Sequence, residues 1–170
     1  MSIELTDKDR LFLANQYEIL AGLNEGSAAE WYSELSRNLK DGQKWIYENQ
    51  IKSLLSPVFE DHEFVLGVLS MFDALSRSFE KLDDKSGIEA EDVRYSGFDG
   101  NNEVEHLSFV DALFRDRRFV DTIRAEGLNS HSQRVGLYKR MLTEWQRQGK
   151  AHDLNRDQIL GILAARRYPG

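Results

Sequence analysis

The first residues that could do chemistry are Asn15-Gln16-Tyr17, near the start of the chain. On a helical wheel of about 100° per residue, Gln16 falls in the middle of an apolar arc. The other members of that arc are Phe12, Leu13, Tyr17, Ile19, Leu20 and Leu23. A primary amide offers up to four hydrogen-bonding positions, and burying it without partners costs on the order of 1–3 kcal/mol. The position of Gln16 therefore predicts a specific polar partner.

Two interpretations of this polar group stay open. In the architectural one, which we favour, the Gln16 amide bonds backbone groups that a helix end or a loop leaves free, such as those of residues 95–99 or 127–130. In the functional one, Asn15, Gln16 and Tyr17 line a small polar pocket in an apolar bundle. Asn129, in the second of these loops, completes the candidate ligand-binding residues.

Glu103 and His106 form the second group, with a Glu-x-x-His spacing. One helical turn offers two metal ligands at this spacing in carboxylate-bridged di-metal bundles. Such sites need a second pair, and none of the other three histidines follows a glutamate at that distance, although Asp61-His62-Glu63 could add ligands. We therefore expect a Glu–His hydrogen bond or a capped first turn, and no metal or cofactor.

The third group is the basic cluster Arg115, Arg117, Arg118 and Arg124. The formal net charge of the chain is −7, divided as −3 over residues 1–57, −10 over 58–114 and +6 over 115–170. This segregation favours pairing of the arginines with acidic residues of the same chain or of another subunit. Contact with nucleic acid is the weaker alternative, because the protein is acidic overall.

The sequence lacks the residues and motifs of several other kinds of catalytic site. There is no cysteine, which excludes disulfides, Cys-ligated zinc and a Cys nucleophile. Gly-x-Ser-x-Gly, P-loop and Gly-x-Gly-x-x-Gly motifs are absent. The run from Asp99 resembles a calcium loop, but its twelfth position is Val110, where an EF-hand needs a bidentate Glu. The sequence thus favours a protein that is not an enzyme.

The elements that must position these residues are helices. Two prolines and the lack of regularly spaced β-branched runs predict an all-α fold, with six to eight helices in one domain over residues 1–170. A long central helix is expected from Ser56-Pro57 to about Leu82. Residues 43–55 could be helical or extended, and the alternation of Val93 and Tyr95 allows a very short strand pair.

Helix starts are predicted from capping residues. Thr6 is the expected N-cap of the first helix and Asp99 that of the helix containing Glu103. Capping boxes are expected at Ser27/Glu30, Ser130/Gln133 and Asn155/Gln158, and Pro169 should follow the last helix.

The segments together resemble the YfbU family of small bacterial proteins. The resemblance follows the order of the chain, covers nearly all of it, and rests on these motifs: Arg10-Leu11-x-Leu13-x-Asn15-Gln16-Tyr17, Met71-Phe72-x-Ala74-Leu75, Gly97-Phe98-Asp99, Gly127-x-Asn129, Tyr138-x-Arg140-Met141-Leu142-x-x-Trp145 and Leu154-x-x-x-x-Ile159. It implies a compact multihelical protein of the bacterial cytoplasm, and it implies no activity.

We therefore expect a non-catalytic protein that acts through protein contacts, as a homo-oligomer. Aromatic residues are enriched in protein interfaces, and the chain supplies Trp31, Tyr32, Trp45 and Tyr47. The alternatives are nucleic-acid binding by the basic C-terminal third, and a small-ligand or metal-dependent enzyme. No apolar run of about 18 residues and no signal-peptide core are present, so we expect a cytoplasmic location without membrane contact.

Overall fold

The structure, a computed structural model, describes residues 3–124 and 128–167. Over these residues the fold is all-α, with seven helices and no strand, as the sequence predicts. The helices are α1 (Asp7–Leu23), α2 (Gly26–Lys40), α3 (Lys44–Ser53), α4 (His62–Lys81), α5 (Val104–Arg115), α6 (Val135–Arg147) and α7 (Arg156–Ala164). Gly127 and Pro169, which figured in the sequence interpretation, lie outside the described residues.

The chain divides into two compact units, Met1–Val58 with α1 to α3 and Phe59–Gly170 with α4 to α7. Each unit has its own buried apolar cluster. The single domain expected over residues 1–170 stays a prediction. None of the helices in the described parts of the chain has the length and apolar character needed to cross a membrane.

In the first unit, α1 packs mainly on α2. The buried apolar cluster of this unit consists of Ala14, Leu35, Leu39 and Tyr47. Tyr17 stacks on Tyr32 with ring centroids 6.0 Å apart, so the two aromatic rings join the helices beside that small core. The ambiguous residues 43–55 contain a helix, α3, and no extended segment.

In the second unit, α4 is the central helix and contacts α5, α6 and α7. Its buried positions form a wide stripe: Val65, Val68, Leu69, Met71, Phe72, Ala74, Leu75 and Ser78. Ser78 is the polar exception, and its Oγ donates to the His152 carbonyl (3.1 Å) and accepts from the Leu154 N–H (2.9 Å). This pair of bonds fixes the chain before α7 against the scaffold helix.

Two caps follow the sequence prediction. Thr6 with Asp9 and Asn155 with Gln158 form reciprocal capping boxes at the starts of α1 and α7. The predicted box at Ser27 is wrong, because α2 begins at Gly26, whose φ of +61° suits glycine. Ser27 is then already inside the first turn and cannot occupy the N-cap position.

The predicted start of the long helix at Ser56-Pro57 is wrong as well. Helix α4 begins at His62, and residues 56–60 form no regular element. Val93 and Tyr95 also lie outside any strand, in turns and an irregular segment between α4 and α5. The one isolated bridge found in the described residues joins Phe98 to Asn129 in parallel. Both side chains at 93 and 95 are nevertheless buried, which explains their apolar character without a strand.

Candidate functional site

Helix α1 has two faces of different character. Its inner face packs within the first unit: Ala14 is fully buried, Tyr17 stacks on Tyr32, and Arg10 Nη1 donates to the Leu39 carbonyl at 3.3 Å. These contacts place residues 10, 14 and 17 against α2. They follow the three- and four-residue spacing of a single helical stripe.

The opposite side of α1 is apolar and exposed. We define the outer face as Leu11, Phe12, Gln16, Ile19, Leu20 and Leu23. Phe12, Ile19 and Leu23 expose 64%, 56% and 76% of their surface. The positions 12, 16, 19 and 23 are separated by four, three and four residues, which is the spacing of a coiled-coil seam. Such a concentration of exposed apolar side chains is typical of an interaction surface.

Gln16 lies in the middle of this outer face and is exposed, as is Asn15. The expectation that Gln16 is buried is therefore wrong. The helical wheel placed Gln16 correctly among apolar side chains. The apolar arc of α1 is nevertheless too broad to be one packed face, because Tyr17 lies on the inner side and Phe12 on the outer one. A second apolar stripe at 12, 19 and 23 was the signal in the sequence that could have shown this.

Glu103 is buried and acts as a cap for another helix. Its Oε1 accepts the N–H groups of Arg134 and Val135, both at 2.7 Å, and its Oε2 accepts the Asp99 N–H at 2.9 Å. A carboxylate at a helix N-terminus satisfies free N–H groups and opposes the positive end of the dipole. The predicted Ser130/Gln133 box is thus wrong, because α6 begins at Val135 and Glu103 supplies its cap.

Asp99 does not cap α5, contrary to the prediction, since that helix begins at Val104 with Glu103 at its N-cap position. The Asp99 carboxylate instead accepts from Asn102 Nδ2 (2.5 Å) and from the Asn101 N–H (3.0 Å). These two bonds hold the pKa of Asp99 below its ordinary value. The residue stabilises the turn that leads to Glu103.

His106 points away from the capping interactions of Glu103. Its Nε2 lies 3.1 Å from Asp61 Oδ2, and its ring packs 5.2 Å from Phe59 and 5.1 Å from Phe98. Both Glu103 oxygens already accept backbone hydrogen bonds, so the structure does not combine the two residues into one ligand set. In residues 3–124 and 128–167, no three His, Asp or Glu side chains are grouped for a metal ion.

Asn129 connects two loops of the second unit. Its Oδ1 accepts from the Gly100 N–H at 3.1 Å and from the His131 N–H at 2.9 Å. A Cβ at position 100 would lie 2.6 Å from Asn129 Nδ2, so a larger residue there would displace the Asn129 amide. The neighbouring backbone bonds, from Phe98 N–H to the Leu128 carbonyl (3.1 Å) and from Ser130 N–H to the Phe98 carbonyl (3.0 Å), complete the bridge. Asn129 belongs to a loop junction of the second unit, whereas Asn15, Gln16 and Tyr17 lie in the first.

Two of the four arginines of the basic cluster form local ion pairs. Arg115 Nε lies 3.0 Å from Asp111 and Arg118 Nε lies 3.0 Å from Asp116. Arg117 adopts a left-handed backbone conformation with φ of 59°. Arg124 lines a separate open cavity beside α4. The four side chains therefore do not present one uniform cationic surface.

The pattern of helices and motifs agrees with a known family. The family model of the YfbU domain matches residues 3–165 of the chain. The chain belongs to the YfbU family. This membership confirms the resemblance found in the sequence, and it extends over both units described above.

Members of the family with similar sequences are UPF0304 proteins. The one from Methanocaldococcus jannaschii is 30% identical over 170 residues, which cover 95% of this chain and 99% of that protein. Those from Mannheimia succiniciproducens and Pasteurella multocida are 28% and 27% identical over 165 residues, covering 96% of this chain and all of theirs. The names of these relatives state no activity, so the function of this YfbU protein has to be argued from its own surfaces.

Proposed function

We propose that this YfbU protein acts through protein contacts, and that the outer face of α1 joins two copies of the chain. The observation that carries the proposal is the exposure of Phe12, Ile19 and Leu23 along one side of a helix whose other side is packed. Covering such side chains is the main favourable contribution to most protein association. Cytoplasmic location and the absence of catalysis remain predictions that accompany this proposal.

A second copy is the occupant that the outer face fits best. The seam spacing at 12, 16, 19 and 23 is self-complementary, because two identical helices with this spacing can pack knobs into holes. Most homo-oligomers are two-fold symmetric, with the same patch contributed by each subunit. The outer face meets this requirement, since it uses one continuous helix and no other element.

Gln16 gives the pairing its specificity. It lies near the centre of the seam, so a two-fold axis through the centre brings the two Gln16 amides close together. Each amide has both donors and acceptors and can bond its symmetry mate. A single polar residue in an apolar seam specifies register and oligomer state at some cost in stability. The polar partner that the sequence predicted for Gln16 is, in this proposal, the same residue in the second copy.

The basic cluster supports nucleic-acid binding less well. Arg115 and Arg118 each face an aspartate within 3.0 Å, so a phosphate backbone would have to compete with these ion pairs. We therefore retain protein contact as the proposed function.

Single-cysteine crosslinking tests the proposal directly, because the natural chain has no cysteine. The variant Gln16→Cys places one thiol at the centre of the outer face, and Ser33→Cys places one at an exposed position of α2 as the control. Under mild oxidation we expect Gln16→Cys to form a covalent dimer much faster than Ser33→Cys. A disulfide needs Cα atoms about 4.4–6.8 Å apart, so equal and slow crosslinking of both variants would contradict the proposed contact.

A further inference from the structure

A small cavity of about 200 Å³ in the second unit is lined by three arginines, Arg94, Arg134 and Arg166. The only acidic side chain among its described lining residues is Glu91. Three cationic side chains thus meet in a unit whose first half is strongly acidic, since residues 58–114 carry a net charge of −10. The volume is below the range of pockets for drug-sized ligands and is suited to a small ion.

Two of the three guanidinium groups have acidic partners. Arg166 Nη1 lies 2.7 Å from Asp92 Oδ1, and its Nη2 donates to the Asp92 carbonyl. Arg94 Nη1 lies 3.4 Å from Glu91 Oε1, a longer contact between exposed side chains. These pairs neutralise part of the positive charge.

Arg134 has no acidic partner for its guanidinium among the described residues. Its Nε is buried and has no hydrogen-bond partner there. Its backbone N–H donates to Glu103, which also accepts the Val135 N–H, so the start of α6 is already capped by a carboxylate. The unsatisfied donor is therefore the side chain of Arg134 and not the helix terminus. Native proteins rarely leave a buried donor without a partner.

Tyr138 and Ser96 complete the polar wall of the cavity. The Tyr138 hydroxyl donates to the Gly97 carbonyl at 3.0 Å and lies 3.0 Å from Ser96 Oγ. Burial raises the pKa of Tyr138, while the bonds with Ser96 and the charges of Arg134 and Arg166 oppose that rise. Tyr138, Arg134 and Arg166 all line the cavity, and both cations act on the one phenol.

We propose that this cavity binds a small oxyanion, with the Arg134 guanidinium as its main donor and Arg94 at its exposed side. A planar guanidinium presents donors in a fork that matches the paired oxygens of a phosphate or a carboxylate. Binding would satisfy the buried Nε and balance the excess positive charge. This site is independent of the outer face of α1, which belongs to the other unit.

Calorimetric titration of the whole chain with inorganic phosphate, at constant ionic strength in chloride, tests this inference. We expect saturable binding of about one ion per chain for the natural protein. Arg134→Gln should weaken it about tenfold or more, as expected for the loss of hydrogen bonds to a charged group. The control Arg115→Gln removes the same charge from an exposed ion pair of the same unit and should leave the affinity unchanged. Titration with acetate distinguishes a carboxylate ligand from a phosphate.

Thermal unfolding without phosphate separates a ligand site from a structural role. Because the Arg134 guanidinium has no bonding partner among the described residues, Arg134→Gln should melt at the same temperature as the natural protein or higher. If that variant does not fold, Arg94→Gln, at the exposed side of the cavity, replaces it in the titration. Absence of saturable binding of phosphate and acetate at millimolar concentration would overturn the inference. Equal affinity of Arg134→Gln and the natural protein, or of Arg94→Gln where it is used, would also overturn it.

Discussion

Substituting Ile19 by Asp should prevent the proposed pairing of two copies through the outer face of α1. The five apolar residues of that face together expose the equivalent of about three complete side chains per copy. At about 2 kcal/mol for each side chain that is fully covered, burying them contributes about 12 kcal/mol per pair. With an association cost of about 5 kcal/mol, near the lower end of its range, about 7 kcal/mol remains. That corresponds to a Kd on the order of 10 µM.

The substitution acts on both copies at once. Ile19 exposes 56% of its surface, so its loss removes about 1 kcal/mol of apolar burial from each copy. Each new carboxylate adds a desolvation cost of at least about 2 kcal/mol when the interface closes over it. The sum, about 6 kcal/mol, raises the Kd by about four orders of magnitude. Ile19→Asp should therefore be a monomer at every practical concentration.

Sedimentation equilibrium over the micromolar range, with circular dichroism as a check of folding, measures this effect. The matched control is Leu55→Asp, since Leu55 is an apolar residue of the same unit outside α1 that is exposed to a similar extent (64%, against 56% for Ile19). We expect the control to dimerise like the natural protein. A natural protein that stays monomeric well above the estimated Kd would refute the reasoning, as would an Ile19→Asp variant that dimerises unchanged.

Three further predictions concern single carboxyl or amide groups. Gln16→Leu should lower the Kd of self-association and broaden the distribution of oligomers measured by light scattering, because a polar seam residue specifies the oligomer state at a cost in stability. An unchanged Kd would contradict the proposed pair of Gln16 amides. Glu103→Ala should lower stability in denaturant unfolding by about 3 kcal/mol or more, since three backbone N–H groups lose a charged acceptor. A loss below about 0.5 kcal/mol, the range of ordinary surface substitutions, would contradict the capping role. Hydrogen bonds from Arg147 and Gln148 lower the pKa of Glu144 from 4.5 to about 2, so the stability it contributes is present above pH 4.5 and is lost as the pH falls towards 2. The difference in Tm between the natural protein and Glu144→Gln should shrink over that interval, and a constant difference would exclude this assignment.

The secondary structure was predictable where it depends on neighbouring residues. The Thr6 N-cap and the Asn155/Gln158 box are confirmed because donor and acceptor lie three residues apart and meet as soon as the first turn forms. The apolar stripe of α4 and its end near Leu82 are confirmed for the same reason. Family membership was also accessible, since ordered motifs along the chain carry it.

Two of the predictions that failed depended on residues distant in sequence. Ser130 could cap α6 by sequence, but Glu103 reaches its first N–H groups from 31 positions away. A buried carboxylate that accepts three N–H groups is stronger than a neutral hydroxyl cap, so the helix begins where Glu103 can bond it. Glu103 stands at the N-cap of α5 and His106 in its first turn, and each side chain bonds a different neighbour.

The amino-acid sequence by itself determined that this YfbU protein is helical, that α4 is an apolar scaffold, and that Gln16 lies among apolar side chains. Those features follow from periodicity and from bonds within one turn. Only the tertiary structure decided that Gln16 faces outward, because α2 covers the side of α1 that bears Ala14 and Tyr17. It alone also decided that Arg94, Arg134 and Arg166 meet around one cavity, since their distance along the chain carries no information about their distance in space.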